Sequence, residues 1–93
     1  MHVVVCSIEL FLPQSESLKE KRRSIQSIIR KIRDRVNASV AETDFQDVWQ
    51  RSEIGVAIVS GDKTLLEKEI GLIRRILDDY DEVELITFGV DYR

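Results

Sequence analysis

The chain predicts an α+β sandwich in the order β-α-β-β-α-β, with a four-stranded antiparallel sheet and two helices on one face. Three observations carry this. Residues 2–12 alternate between two faces with period two. Two stretches, residues 18–36 and 63–79, instead place apolar residues at helical spacing. Two further β-branched runs, 53–60 and 82–92, complete the strand count together with a weaker run at 38–45.

In the first strand His2, Val4, Cys6, Ile8, Leu10 and Leu12 share one face, and Val3, Val5, Ser7, Glu9 and Phe11 share the other. Pro13-Gln14-Ser15-Glu16 forms a loop. Ser17-Leu18-Lys19-Glu20 has the spacing of a capping box, in which Ser17 caps the helix and Glu20 reaches back. Leu18, Ile25, Ile28, Ile29, Ile32 and Val36 then fall within about 100° of helix arc, a stripe that packs on a sheet. Asn37 suits a left-handed stop.

The second strand, 38–45, is interrupted by Ala38, Glu42 and Asp44, and a polar connection, 46–52, carries the tryptophan. Ile54, Val56 and Ile58 give the third strand its core face, opposite Gly55, Ala57 and Val59. Asp62 caps the second helix, which buries Leu66, Ile70, Ile73, Ile76 and Leu77. The last strand runs through Leu85, Ile86, Phe88 and Val90. Right-handed crossovers around one core favour the split βαβ, or ferredoxin-like, arrangement with sheet order 4-1-3-2. The expected core holds Val4, Ile8, Ile25, Ile29, Ile32, Ile54, Val56, Ile58, Ile70, Ile73 and Leu77.

Composition narrows the function classes. Ninety-three residues make a single domain, 1–93, large enough for one core without staples. No apolar run reaches the length of a membrane span, and no secretory signal is read at the N-terminus. One cysteine excludes an intrachain disulfide and a multi-cysteine metal site. These features lead to the expectation of a cytoplasmic protein. The net charge of −3 hides a dipolar chain. Residues 17–37 hold eight basic side chains against two acidic ones, a surplus of six, which leaves −9 for the rest. Asp78, Asp79, Asp81, Glu82 and Glu84 form the acidic peak.

Two stretches carry a family resemblance: Ser17-Leu18-Lys19-Glu20-Lys21-Arg22-Arg23 after a strand and a Pro loop, and the segment from Ser39 to Arg51 before a strand. With the length, they make the chain similar to the YlxP-like family of small bacterial proteins, a domain of unknown function (DUF503). The resemblance covers nearly the whole chain. It implies a ferredoxin-like fold, a cytoplasmic bacterial protein and, because members are often encoded beside translation-initiation and ribosome-maturation factors, work on RNA or the ribosome. It implies no catalytic residue. Phe45 stands where the resemblance leads one to expect a polar residue or a histidine.

Enzyme chemistry finds little support. His2 is the single imidazole, at a terminus prone to fray. Cys6 lies on the core face, where a thiol is inert. No P-loop, G-x-G-x-x-G, G-x-S-x-G or H-E-x-x-H is present. Glu42, Asp44, Asp47 and Glu53 could bind Mg²⁺, but they read better as a solvated edge or as ion pairs to Arg51. Ferredoxin-like acylphosphatases and amino-acid-sensing domains use glycine-rich loops that this chain lacks. The expectation is therefore no catalysis, no cofactor and no metal.

Nucleic-acid binding by the open sheet face is rejected, because the first and third strands offer Val5, Ser7, Glu9, Gly55, Ala57 and Val59 and no stacking aromatic. The first helix differs. Lys19, Arg22, Arg23, Gln26, Arg30 and Arg33 share one flank that spans about 21 Å, enough to follow several phosphates. Four basic residues in its first two turns oppose the macrodipole, a placement that suits a bound anion. The competing reading is internal neutralisation: Asp78, Asp79 and Asp81, at the same end of an antiparallel helix pair, would pair with Lys19, Arg22 or Arg23. Arg30 and Arg33 lie beyond that acidic cluster and outside the apolar stripe, so substitution there is expected to alter stability little. The third class is a homodimer through the open sheet face, with Val5 and Ala57 at its centre. Trp49 serves either as an interface anchor or as a cap over the end of the core.

Overall fold

The computed structural model describes all residues from Met1 to Arg93. The elements are β1 (His2–Phe11), α1 (Leu18–Arg35), β2 (Ser39–Asp44), β3 (Arg51–Ser60), α2 (Lys63–Asp78) and β4 (Glu84–Tyr92). The sheet order is β2-β3-β1-β4, every neighbouring pair antiparallel, which is the predicted 4-1-3-2 read from the other edge. Both helices cover one face, and all eleven expected core residues belong to a single buried cluster.

Both N-caps form where the sequence places them. The Ser17 side chain accepts from Glu20 N–H, and the Asp62 carboxylate accepts from Thr64 and Leu65 N–H. Glu20 reaches one residue further back than a capping box requires, accepting from Glu16 N–H at 2.7 Å. Asn37 is not left-handed. α1 ends because Val36 turns extended, at φ −128°, while its N–H still bonds Ile32 C=O. Val36 is itself buried, so tertiary packing ends the helix where a cap residue was expected.

β3 begins two residues earlier than predicted, because Arg51 and Ser52 pair with Phe11 and Leu10 of β1. In β4 a bulge lies opposite Glu9 and Leu10, so Thr87 faces Glu9 and Leu85 faces Leu10. Leu85 and Phe88 pack on the core, whereas Ile86, which the sequence placed on this strand without assigning it to a face, is about half exposed (51%). The extra residue shifts the two-residue period, which no alternation rule anticipates. His2 shares the core face by register but is exposed at the sheet's end.

Candidate nucleic-acid interface

Five of the cations of α1 stand in two rows. At 100° per residue, Lys19, Arg23 and Arg30 stand within about 40° of one another on the outermost ridge, opposite the buried Ile25, Ile28 and Ile32. Lys19 and Arg30 are separated along the axis by about 17 Å. All three are exposed, and none has a carboxylate within salt-bridge distance. Arg22 and Arg33 lie on the side facing β2. Arg22 reaches Asp47 at 3.7 Å, and Arg33 Nη2 donates to Val40 C=O at 2.7 Å.

Internal neutralisation by the end of α2 does not occur. Asp78, Asp79 and Asp81 form no ion pair with Lys19, Arg22 or Arg23. The acidic loop meets α1 through Glu82, which accepts from Ser24 Oγ at 3.0 Å, on the flank facing away from the ridge. Asp79 lies instead beside Lys31, Asp34 and Arg35, so the register of the antiparallel helices carries the end of α2 to the second half of α1, away from Lys19, Arg22 and Arg23. Arg33 also departs from expectation. It ties α1 to the edge strand, so it is not free of a structural role.

Lys21 is one of the eight cations counted in residues 17–37, without an assigned place on the helix, and its side chain is fully buried (0% exposed). Its Nζ donates to Glu42 Oε2 at 3.0 Å and to the carbonyls of Phe45 at 2.6 Å, Gln46 at 3.1 Å and Arg51 at 3.4 Å. Ser52 Oγ donates to the same Glu42 oxygen at 2.6 Å. The signal was present: Lys21 sits three residues after Leu18 and four before Ile25, on the apolar stripe. The fold can bury this side chain because every donor of its amine has a partner.

The segment held by Lys21 is the β2–β3 connection. Phe45 is the single non-glycine residue with positive φ, at 62°, a conformation unfavourable for a bulky side chain. Several contacts hold it: Asp44 Oδ1 accepts its N–H, its carbonyl accepts from Lys21 and Val48, and Arg51 stacks on its ring at 4.3 Å. Gln50 Nε2 donates to Pro13 and Ser15 carbonyls, locking the connection to the loop before α1. Val48 and Trp49 project from this framework, with Trp49 54% exposed. Trp49 therefore does not seal the core, and it stands at the opposite end of β3 from Ala57.

The carboxylates that might have formed a metal site do not converge; no group of three possible ligands exists. Glu42 serves Lys21, Asp47 serves Arg22, Asp44 caps Phe45, and Glu53 accepts from Thr43 Oγ1. Arg51, expected to pair with this group, pairs with Glu9 across the sheet. Cys6 is buried, and desolvation raises its thiol pKa above the ordinary value, against a smaller lowering by Arg74. No helix is long and apolar enough to cross a membrane.

On the open face, Val5 pairs with Ala57. Beside them Ala41, Gly55, Ser7 and Gly89 form one row across all four strands. A Cβ on Gly55 would lie 2.7 Å from Thr43 Cγ2, so the close approach of β2 favours glycine there.

Comparison with known proteins agrees with this architecture. The chain is similar over its full length to the solution structure of LFR1 1, a de novo designed protein with a ferredoxin fold. The TM-score is 0.56 at 14% identity, and the match covers 84% of that chain. It is 34% identical over 76 residues to the uncharacterized protein YlxP of Bacillus subtilis (strain 168), covering 82% of this chain and 83% of that protein. The profile of the family described as "Protein of unknown function (DUF503)" matches residues 3–90, and to that family the chain belongs.

Proposed function

We propose that this protein is a non-enzymatic RNA- or ribosome-associated accessory protein that holds phosphates along the outer ridge of α1. The observation that carries the reading is the row of three exposed, unpaired cations, Lys19, Arg23 and Arg30, with Arg22 beside it. A phosphate backbone supplies the countercharges that the protein does not. The net negative charge of the whole chain does not oppose this, since exposed charges are screened beyond about 8 Å at physiological ionic strength. The test is fluorescence anisotropy with labelled single-stranded RNA over a range of salt. Binding should weaken steeply with salt, and Arg23→Glu with Arg30→Glu should flatten the slope of log K against log salt by about 0.7 per lost phosphate contact. Wild-type protein that binds no RNA at low salt refutes the reading.

A homodimer through the open sheet face is the second reading. It is favoured by Ala57 and Val59 standing exposed beside a row of small side chains, where a second sheet can come close. Sedimentation at tens of micromolar decides it. A dimer should persist as salt rises and dissociate in Val5→Lys or Ala57→Lys. A wild-type monomer rules it out.

A further inference from the structure

We propose that Trp49 and Arg22 form a site for an unpaired nucleotide of single-stranded RNA, with the base stacked on the indole and its phosphate on the guanidinium. This rests on the reading of α1 given above and extends it from phosphate contact to base contact.

Trp49 is the only tryptophan, and more than half of its surface is exposed. It is absent from the core cluster, and its indole N–H makes no hydrogen bond within the chain. The side chain is nevertheless held on a rigid base. Lys21 Nζ grips carbonyls at both feet of the connection, Phe45 and Gln46 on one side and Arg51 on the other. Gln50 fastens the next residue to Pro13 and Ser15. An aromatic face held this way loses little freedom when a flat ligand stacks on it.

The neighbouring charge selects the ligand. Arg22 reaches Asp47 at 3.7 Å, a long contact between exposed groups that a phosphate can displace. Asp47 and Trp49 are two residues apart, so their Cα atoms lie within about 7 Å. Lys19 and Arg23 continue the positive charge along α1 from that point. A cationic track ending at an exposed aromatic is the arrangement that binds single strands with little sequence preference, because every base has a face to stack. On the open sheet face Phe11 is half-buried at the end of β1, and the loop provides the exposed aromatic instead.

Because Trp49 is the only indole, its fluorescence reports directly on the site. An eight-nucleotide oligouridine should quench its emission on binding to the wild type, whereas an abasic oligomer of equal length should bind with little quenching. Trp49→Ala should lose about 5- to 150-fold in affinity for oligouridine with its salt slope unchanged, and Trp49→Phe should keep most of the affinity. Trp49→Ala should then bind oligouridine no better than the wild type binds the abasic strand. If oligouridine binds without quenching and Trp49→Ala matches the wild type, this site is refuted and the phosphate ridge stands. If oligouridine does not bind at low salt, both fall. Should Trp49→Ala fail to fold, the wild-type comparison of oligouridine with the abasic strand still decides, since equal quenching overturns the proposal. An unchanged salt response on removing Arg22 by Arg22→Ala would also overturn its assignment.

Discussion

The ammonium of Lys21, on the first full turn of α1, lies 3.0 Å from the Glu42 carboxylate on edge strand β2 and is fully buried. Twenty-one residues separate the two. The contact fixes the start of the basic helix against the β2–β3 hairpin, and with it the relative placement of Arg22 and Trp49.

The two partners of this pair are not equivalent. Lys21→Met strips charge-assisted bonds from three carbonyls and leaves Glu42 with Ser52 alone, and should cost about 3–5 kcal/mol in urea unfolding. Glu42→Gln leaves Lys21 its carbonyl partners and should cost less, about 1–2 kcal/mol. Equal losses would mean that the carbonyls contribute little.

Ile29 tests the helix face. It is 4% exposed, in the middle of α1, and Ile29→Ala removes buried methylenes from the contact with the sheet. A loss of about 2–5 kcal/mol is expected. A loss below about 1 kcal/mol would be incompatible with the packing described.

Arg30 and Arg33, one turn apart, should behave oppositely. Arg33→Ala breaks the bond to Val40 C=O and should destabilise by about 1 kcal/mol, loosening edge strand β2 in hydrogen exchange. Arg30→Ala touches no internal partner, so its stability should stay within about 0.5 kcal/mol of wild type while RNA affinity falls. If both variants melt with the wild type, Arg33 does not hold the edge strand.

The Cys6 thiol supplies a pH prediction. Burial raises its folded pKa, so the folded protein keeps a proton that the unfolded chain releases in alkali. The associated stability is fully present below the ordinary thiol value of 9.0 and is lost as pH rises from there through the folded pKa. Cys6→Ala should make the alkaline limb of the stability curve shallower. A thiol reagent should modify the native protein only at the rate of opening, and immediate labelling at neutral pH would contradict the burial.

Local chemistry made most of the fold legible. Ser17 and Asp62 announce the helix starts through short-range side-chain bonds, and the stripes Ile25-Ile28-Ile29-Ile32 and Leu66-Ile70-Ile73-Leu77 state which faces turn inward. These signals depend on residues a few positions apart, so one sequence suffices to read them. The candidate interface was legible in part: Lys19, Arg23 and Arg30 follow from helical spacing alone. Chain segments distant in sequence decided the rest. Helical spacing put Arg33 on the free flank and left Lys21 without a role, but the position of β2 made Lys21 a buried clamp and Arg33 a strand tie. Arg51 found Glu9 across the sheet, and the bulge in β4 exposed Ile86. Whether a cation stays free depends on which acceptors the tertiary fold brings to it, because ion pairing and hydrogen bonding act over a few ångströms of space and are indifferent to separation along the chain.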